Sequence, residues 1–117
     1  MYIRKANSSE DWGKEVAYWR KSNQIHRWFV DNVQDGIDDC EVHRPLTEND
    51  LKVLKGLCAL ALNTHNDKLL PPMAGFFFGD ISTDSYYWRD IENTINQLDS
   101  VLSDWDNTFQ YYYQSSW

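Results

Sequence analysis

Little in this chain can serve as a covalent or structural staple: it has two cysteines, three prolines, five glycines and no long apolar run. So few cysteines exclude a disulfide framework, and 117 residues are enough to bury one core without such help. Cys58 sits in the apolar stretch G-L-C-A-L-A-L and reads as a small buried hydrophobe, whereas Cys40 follows two aspartates and reads as exposed. The longest apolar run, 57–62, is far too short to span a bilayer. No cationic segment leads into an apolar stretch at the amino end, so no secretory leader is expected. Repeats, low-complexity tracts and linkers are also lacking, which predicts a single domain over residues 1–117 in the cytoplasm. Nothing matches a phosphate-loop spacing or another cofactor motif, and no cofactor is expected.

Positive charge is scarce after residue 30. Residues 1–30 hold six Lys/Arg and three Asp/Glu, a balance of +3, whereas residues 31–117 hold five and fifteen, a balance of −10. A surface this acidic repels phosphates within about a Debye length, so direct nucleic-acid binding is disfavoured. One consequence of the charge is solubility for a ring-rich chain; the sharper alternative is an acidic face that competes with nucleic acid for a basic partner.

Aromatic residues are abundant: six Trp, seven Tyr and five Phe. Some must fill the core. Tyr86-Tyr87-Trp88 and Tyr111-Tyr112-Tyr113 each place three consecutive rings on one element, and a single layer cannot bury all three. Part of that ring surface is expected to stay exposed, where Tyr and Trp are the chemistry of protein interfaces.

Periodicity predicts a mainly α domain of about three helices, α+β if the terminal segments form strands. The first helix is expected over 9–34, capped by Ser8 or Ser9. Trp12, Val16, Trp19, His26, Phe29, Val30 and Val33 share its inner stripe with Asn23, and Gly36 lies past its end. The T-E-N-D run at 47–50 resembles a capping box and opens a second helix through 63, with Leu51, Leu54, Cys58 and Ala61 inward. Gly56 costs this helix about 1 kcal/mol relative to Ala, which suggests another backbone packed close by. A connector with G-F-F-F-G at 75–79 plugs one end of the core, and a third helix runs over 84–102 with Tyr87, Ile91, Thr94, Leu98 and Val101 inward. Short strands are expected at 1–6 and 108–114, paired with each other.

Three groups of residues are candidates for chemistry. Asn23 and His26 lie in an apolar seam and need partners, and the acidic pair Asp38 and Asp39 follows the helix-ending glycine. Cys40 and His43 could join His26 and these aspartates around Zn²⁺, but a lone C-x2-H spacing is an incomplete ligand set and no metal is expected. The same groups could serve acid/base or thiol chemistry, yet no oxyanion donor accompanies them, and an enzyme is not expected. The third group is acidic: Asp80, Asp84, Asp90, Glu92, Asp99, Asp104 and Asp106 oppose only Arg89 across 80–106. Glu92 and Asp99 are two helical turns apart, about 10 Å by helical rise, a spacing suited to mimicry of a phosphate backbone. Asp90, Glu92, Asp99, Asp104 and Asp106, together with Tyr86, Trp88 and Tyr112, form the expected partner-binding set.

The run Y-W-R-K-S-N-Q-I-H-R-W-F-V-D-N-V-Q-D-G-I-D-D-C at 18–40, L-L-P at 69–71, G-F-F-F-G at 75–79 and Y-Y-W-R-D-I-E-N-T-I at 86–95 resemble a family of small bacteriophage and prophage proteins. The resemblance covers residues 15–102, leaves 103–117 aside and brings with it no catalytic residue. It implies phage origin and residence in the host bacterial cytoplasm. Small acidic phage proteins of this kind suggest an inhibitor or modulator that binds a host or phage protein, such as a defence or nucleic-acid-processing factor, in an anti-CRISPR-like or nucleic-acid-mimic mode. A structural or assembly component of the phage particle is the alternative, and a homodimer is compatible with either.

Overall fold

A computed structural model describes residues 1–8, 11–20, 22–38, 44–71 and 85–115. The chain runs β1 (Tyr2–Ala6), β2 (Lys14–Tyr18), α1 (Asn23–Val33), α2 (Glu48–Thr64), a 3₁₀ turn (Asp67–Leu69), α3 (Ser85–Ser103) and β3 (Gln110–Gln114). Three helices and a three-stranded antiparallel sheet make this an α+β fold rather than a mainly α one.

The expected helix 9–34 is two elements. Gly13 has φ +65°, and a Cβ placed there would lie 2.0 Å from the Lys5 carbonyl oxygen, so the backbone turns sharply against β1. Asp11 holds that turn: its carboxylate accepts from the amides of Gly13 (3.2 Å) and Asn7 (3.1 Å). Residues 14–18 therefore run back along β1 with Tyr2 opposite Tyr18 and Ile3 opposite Ala17. The helix begins only at Asn23. Trp19 is buried as the spacing predicts, but Trp12 is 59 % exposed and Val16 only half-buried, because neither lies on a helix.

β1 is the central strand, in the order β2-β1-β3. Tyr2 to Ala6 pair with Gln114 to Gln110, so the expected pairing of the two terminal strands is present. Residues opposite one another share a face. Ile3, Ala17, Tyr111 and Tyr113 face the helices, where Tyr113 stacks on Phe29 of α1 at 3.8 Å between ring centroids and Tyr111 on Trp105 at 3.9 Å. Tyr2, Tyr18, Arg4 and Tyr112 lie on the other face.

Each sheet edge is capped by a residue from outside the sheet. The Leu46 amide donates to the Tyr111 carbonyl (2.7 Å) at the β3 edge. At the β2 edge, Gln97 of α3 substitutes for a strand: its side-chain oxygen accepts from the Tyr18 amide (2.7 Å) and its NH₂ donates to the Tyr18 carbonyl (2.8 Å).

α2 and α3 follow their expected bounds within a residue. Thr47 accepts from the Asp50 amide (3.0 Å) and Asp50 accepts from the Thr47 amide (2.7 Å), which completes the capping box. Asp50 also receives both Arg44 guanidinium nitrogens, at 2.7 and 3.1 Å, while Arg44 donates to the Asn32 carbonyl (3.1 Å) and ties α1 to the start of α2. Arg44 and the Thr47 cap hold the Asp50 carboxyl below its usual range, although burial opposes them as the largest single influence. Leu51, Leu54, Cys58 and Ala61 are buried as expected, whereas Val53 and Leu60 are exposed, so α2 covers the core with one stripe. Gly56 has nothing within 4 Å of a built Cβ, and close backbone packing is not the reason for it. The Phe-rich connector 75–79 lies outside the described residues.

Candidate functional site

The polar seam resolves into two networks. At its centre is His26, fully buried on α1. Its Nδ1 lies 2.5 Å from the Tyr113 hydroxyl and its Nε2 lies 2.9 Å from Asp38 Oδ1. A carboxylate only accepts, so Nε2 carries the ring proton and donates to Asp38, while Nδ1 accepts from the Tyr113 O–H. Burial pushes His26 below its ordinary value near 6.5, and the hydrogen bond and charge of Asp38 oppose that shift. The second network surrounds Trp19, whose Nε1 donates to Thr94 Oγ1 (2.8 Å), and that hydroxyl donates to the Asp90 carbonyl (2.7 Å). Asn23 and Gln24 are buried at the start of α1, and Gln24 donates to the Tyr87 carbonyl (3.2 Å).

The Tyr113–His26–Asp38 order has the form of a proton relay, with both Tyr113 and His26 closed to solvent. Burial also pushes the Cys58 thiol up to about 12, which leaves it unreactive at neutral pH. Among the described residues no three His, Cys, Asp or Glu side chains converge as metal ligands. Asp39, Cys40 and His43 lie outside the described residues, as do Asp80 and Asp84.

The expected partner-binding set separates. Tyr86 is 67 % exposed near the start of α3, Tyr87 is buried, and Trp88 stacks on His65 at 4.0 Å. The first aromatic triplet thus leaves ring surface in water. The second does not: Tyr111, Tyr112 and Tyr113 are all buried. Tyr112 was expected in contact with a partner, yet the Arg4 guanidinium covers it, 4.9 Å from its ring centroid. Arg4 is fixed in turn by donating to the carbonyls of Asp11 and Trp12, so the 11–13 turn folds back over this part of the sheet.

Of the acids, Glu92 and Asp104 are exposed on or just beyond α3, and Asp90 is half-buried. Asp99 forms an ion pair with Lys55 of α2. Asp106 accepts from the amide (2.9 Å) and hydroxyl (2.7 Å) of Thr108, which lower its carboxyl and commit it to the turn before β3. The acidic stretch is therefore a less uniform face than its sequence implies.

Sequence reasoning missed the exposed rings of the hairpin. Trp12 (59 %) and Tyr18 (52 %) flank Tyr2 on the face of the sheet turned away from the helices, with Trp12 5.4 Å from Tyr2. Regular alternation over 14–18 would place Tyr18 on the face of Val16, which packs on the core; the register shift between Ile3 and Arg4 separates the two, and no local pattern signals it. A groove of about 280 Å³ between the sheet and the end of α3 holds Lys5 and Lys14 beside Glu15 and Asp104, where opposite charges offset one another. Among the described residues no helix is long and apolar enough to cross a membrane. No family model matches the chain, and no curated protein or solved structure shows significant similarity to it.

Proposed function

We propose that this protein works by binding another macromolecule, with a protein as the partner, and makes or breaks no bond itself. One observation carries this reading: a chain that buries four of its seven tyrosines leaves Trp12 and Tyr18 more than half in water, around Tyr2, on one face of its sheet. Exposed Trp and Tyr are costly in water and are the residues most enriched at interface centres. Tyr86 and the acids Glu92 and Asp104 supply a second, acidic surface that favours a basic partner. The resemblance to small phage proteins gives the context: an inhibitor or modulator of a host defence or nucleic-acid-processing protein, acting in the bacterial cytoplasm.

The test is affinity capture from infected bacterial extract, with the wild type beside two variants. Trp12→Ser with Tyr18→Thr should abolish recovery of the partner while the thermal midpoint stays unchanged. Asp90→Asn, Glu92→Gln and Asp99→Asn together should weaken it if the partner is basic; unchanged binding would eliminate the nucleic-acid-mimic mode. Recovery of the chain in purified virions would instead favour the assembly role.

A further inference from the structure

Three separate parts of the chain meet at His26: α1, which carries it; β3, which supplies Tyr113; and the turn after α1, which supplies Asp38. That turn is irregular in its backbone. Asp35 and Gly36 both have positive φ, +53° and +79°, and for Asp35 this is a sparsely populated conformation. Its backbone bonds run from Gln34 to Phe29 (3.1 Å), Gly36 to Val30 (2.8 Å) and Ile37 to Gln34 (2.9 Å). Residues 35–38 are exposed.

We propose that the Tyr113–His26–Asp38 chain is an acid-sensitive fastening, so that proton uptake by His26 loosens the turn 34–38 while the rest of the fold stays closed. The neutral ring satisfies both neighbours with a single N–H. A second proton on Nδ1 forces the Tyr113 hydroxyl to turn its own proton away, and it places a cation where no water reaches. The charged groups facing His26 among the described residues are Asp38 from the turn, which favours the cation, and the amino terminus at Met1, which opposes it; Tyr113 adds its hydroxyl. To hydrate the imidazolium, something must move. Tyr113 is stacked on Phe29 and hydrogen-bonded into the sheet, and α1 is packed along its length, so the turn is the cheapest element to displace.

Burial outweighs Asp38 in setting the His26 affinity for protons, so the folded-state value is depressed. Its contribution is then fully present above the ordinary value near 6.5 and is lost as pH falls through the lowered one.

The test is amide hydrogen exchange of Gly36 and Ile37 from pH 7.5 to 5, corrected for intrinsic rates, beside a ring-nitrogen NMR titration of His26. Protection of these two amides should fall by about tenfold or more as pH falls through the His26 titration. Leu54 and Cys58 in α2 should keep theirs. His26→Gln can still donate to Asp38 and accept from Tyr113 but cannot titrate, and should abolish the pH dependence. Protection that is flat across the His26 titration, that falls equally in α2, or that keeps its pH dependence in His26→Gln would overturn the proposal. If His26→Gln does not fold, the wild-type comparison of the turn with α2 decides alone.

Discussion

Two of the glycines, Gly13 and Gly56, illustrate how the same residue type answers different demands. Gly13 combines a left-handed φ with a carbonyl oxygen where its Cβ would stand, and the whole hairpin depends on it. Gly13→Ala should lower stability by about 2 kcal/mol or more, read from denaturant unfolding, because both backbone and neighbour must shift. Gly56 is the opposite case: it sits mid-helix with open space around it. Gly56→Ala should therefore stabilise the protein by about 0.5–1 kcal/mol and raise the thermal midpoint by several degrees. At this scale the sequence was partly legible. Asn23 and His26 stood out as polar residues in an apolar seam, with Asp38 close by in sequence, but the second partner of His26, Tyr113, is 87 positions away and no local pattern points to it.

Elements with their own start signals were the readable ones. α2 opens at Thr47 because the capping box closes within four residues, and its inner stripe follows helical spacing. Thr47→Ala removes the acceptor for the Asp50 amide and should cost about 1 kcal/mol, with a local loss of exchange protection in the first turn of α2. α1 was misread at its start for a definite reason. Trp12, Val16 and Trp19 satisfy helical spacing, yet residues 14–18 become a strand once Gly13 turns them onto β1. That pairing is tertiary information, and it overrides a weak helical preference. The second tyrosine triplet was misjudged similarly: one layer cannot bury three neighbouring rings, but here the helices cover Tyr111 and Tyr113 while Arg4 covers Tyr112 from behind.

For the molecule as a whole, charge and rings are distributed unequally between its surfaces. Acids concentrate beyond residue 30, yet Asp99 is already paired with Lys55 and Asp106 already accepts from Thr108, so part of that charge is engaged within the molecule. The hairpin face offers Trp12 and Tyr18 instead, and the proposed partner is expected to seat there. The decisive measurement is calorimetric affinity for the captured partner, compared between the wild type and the Trp12→Ser, Tyr18→Thr double variant. Two lost interface rings at about 1–2 kcal/mol each should weaken binding by roughly thirtyfold or more, with an unfolding midpoint that does not move. Equal affinity of the two proteins would contradict the account.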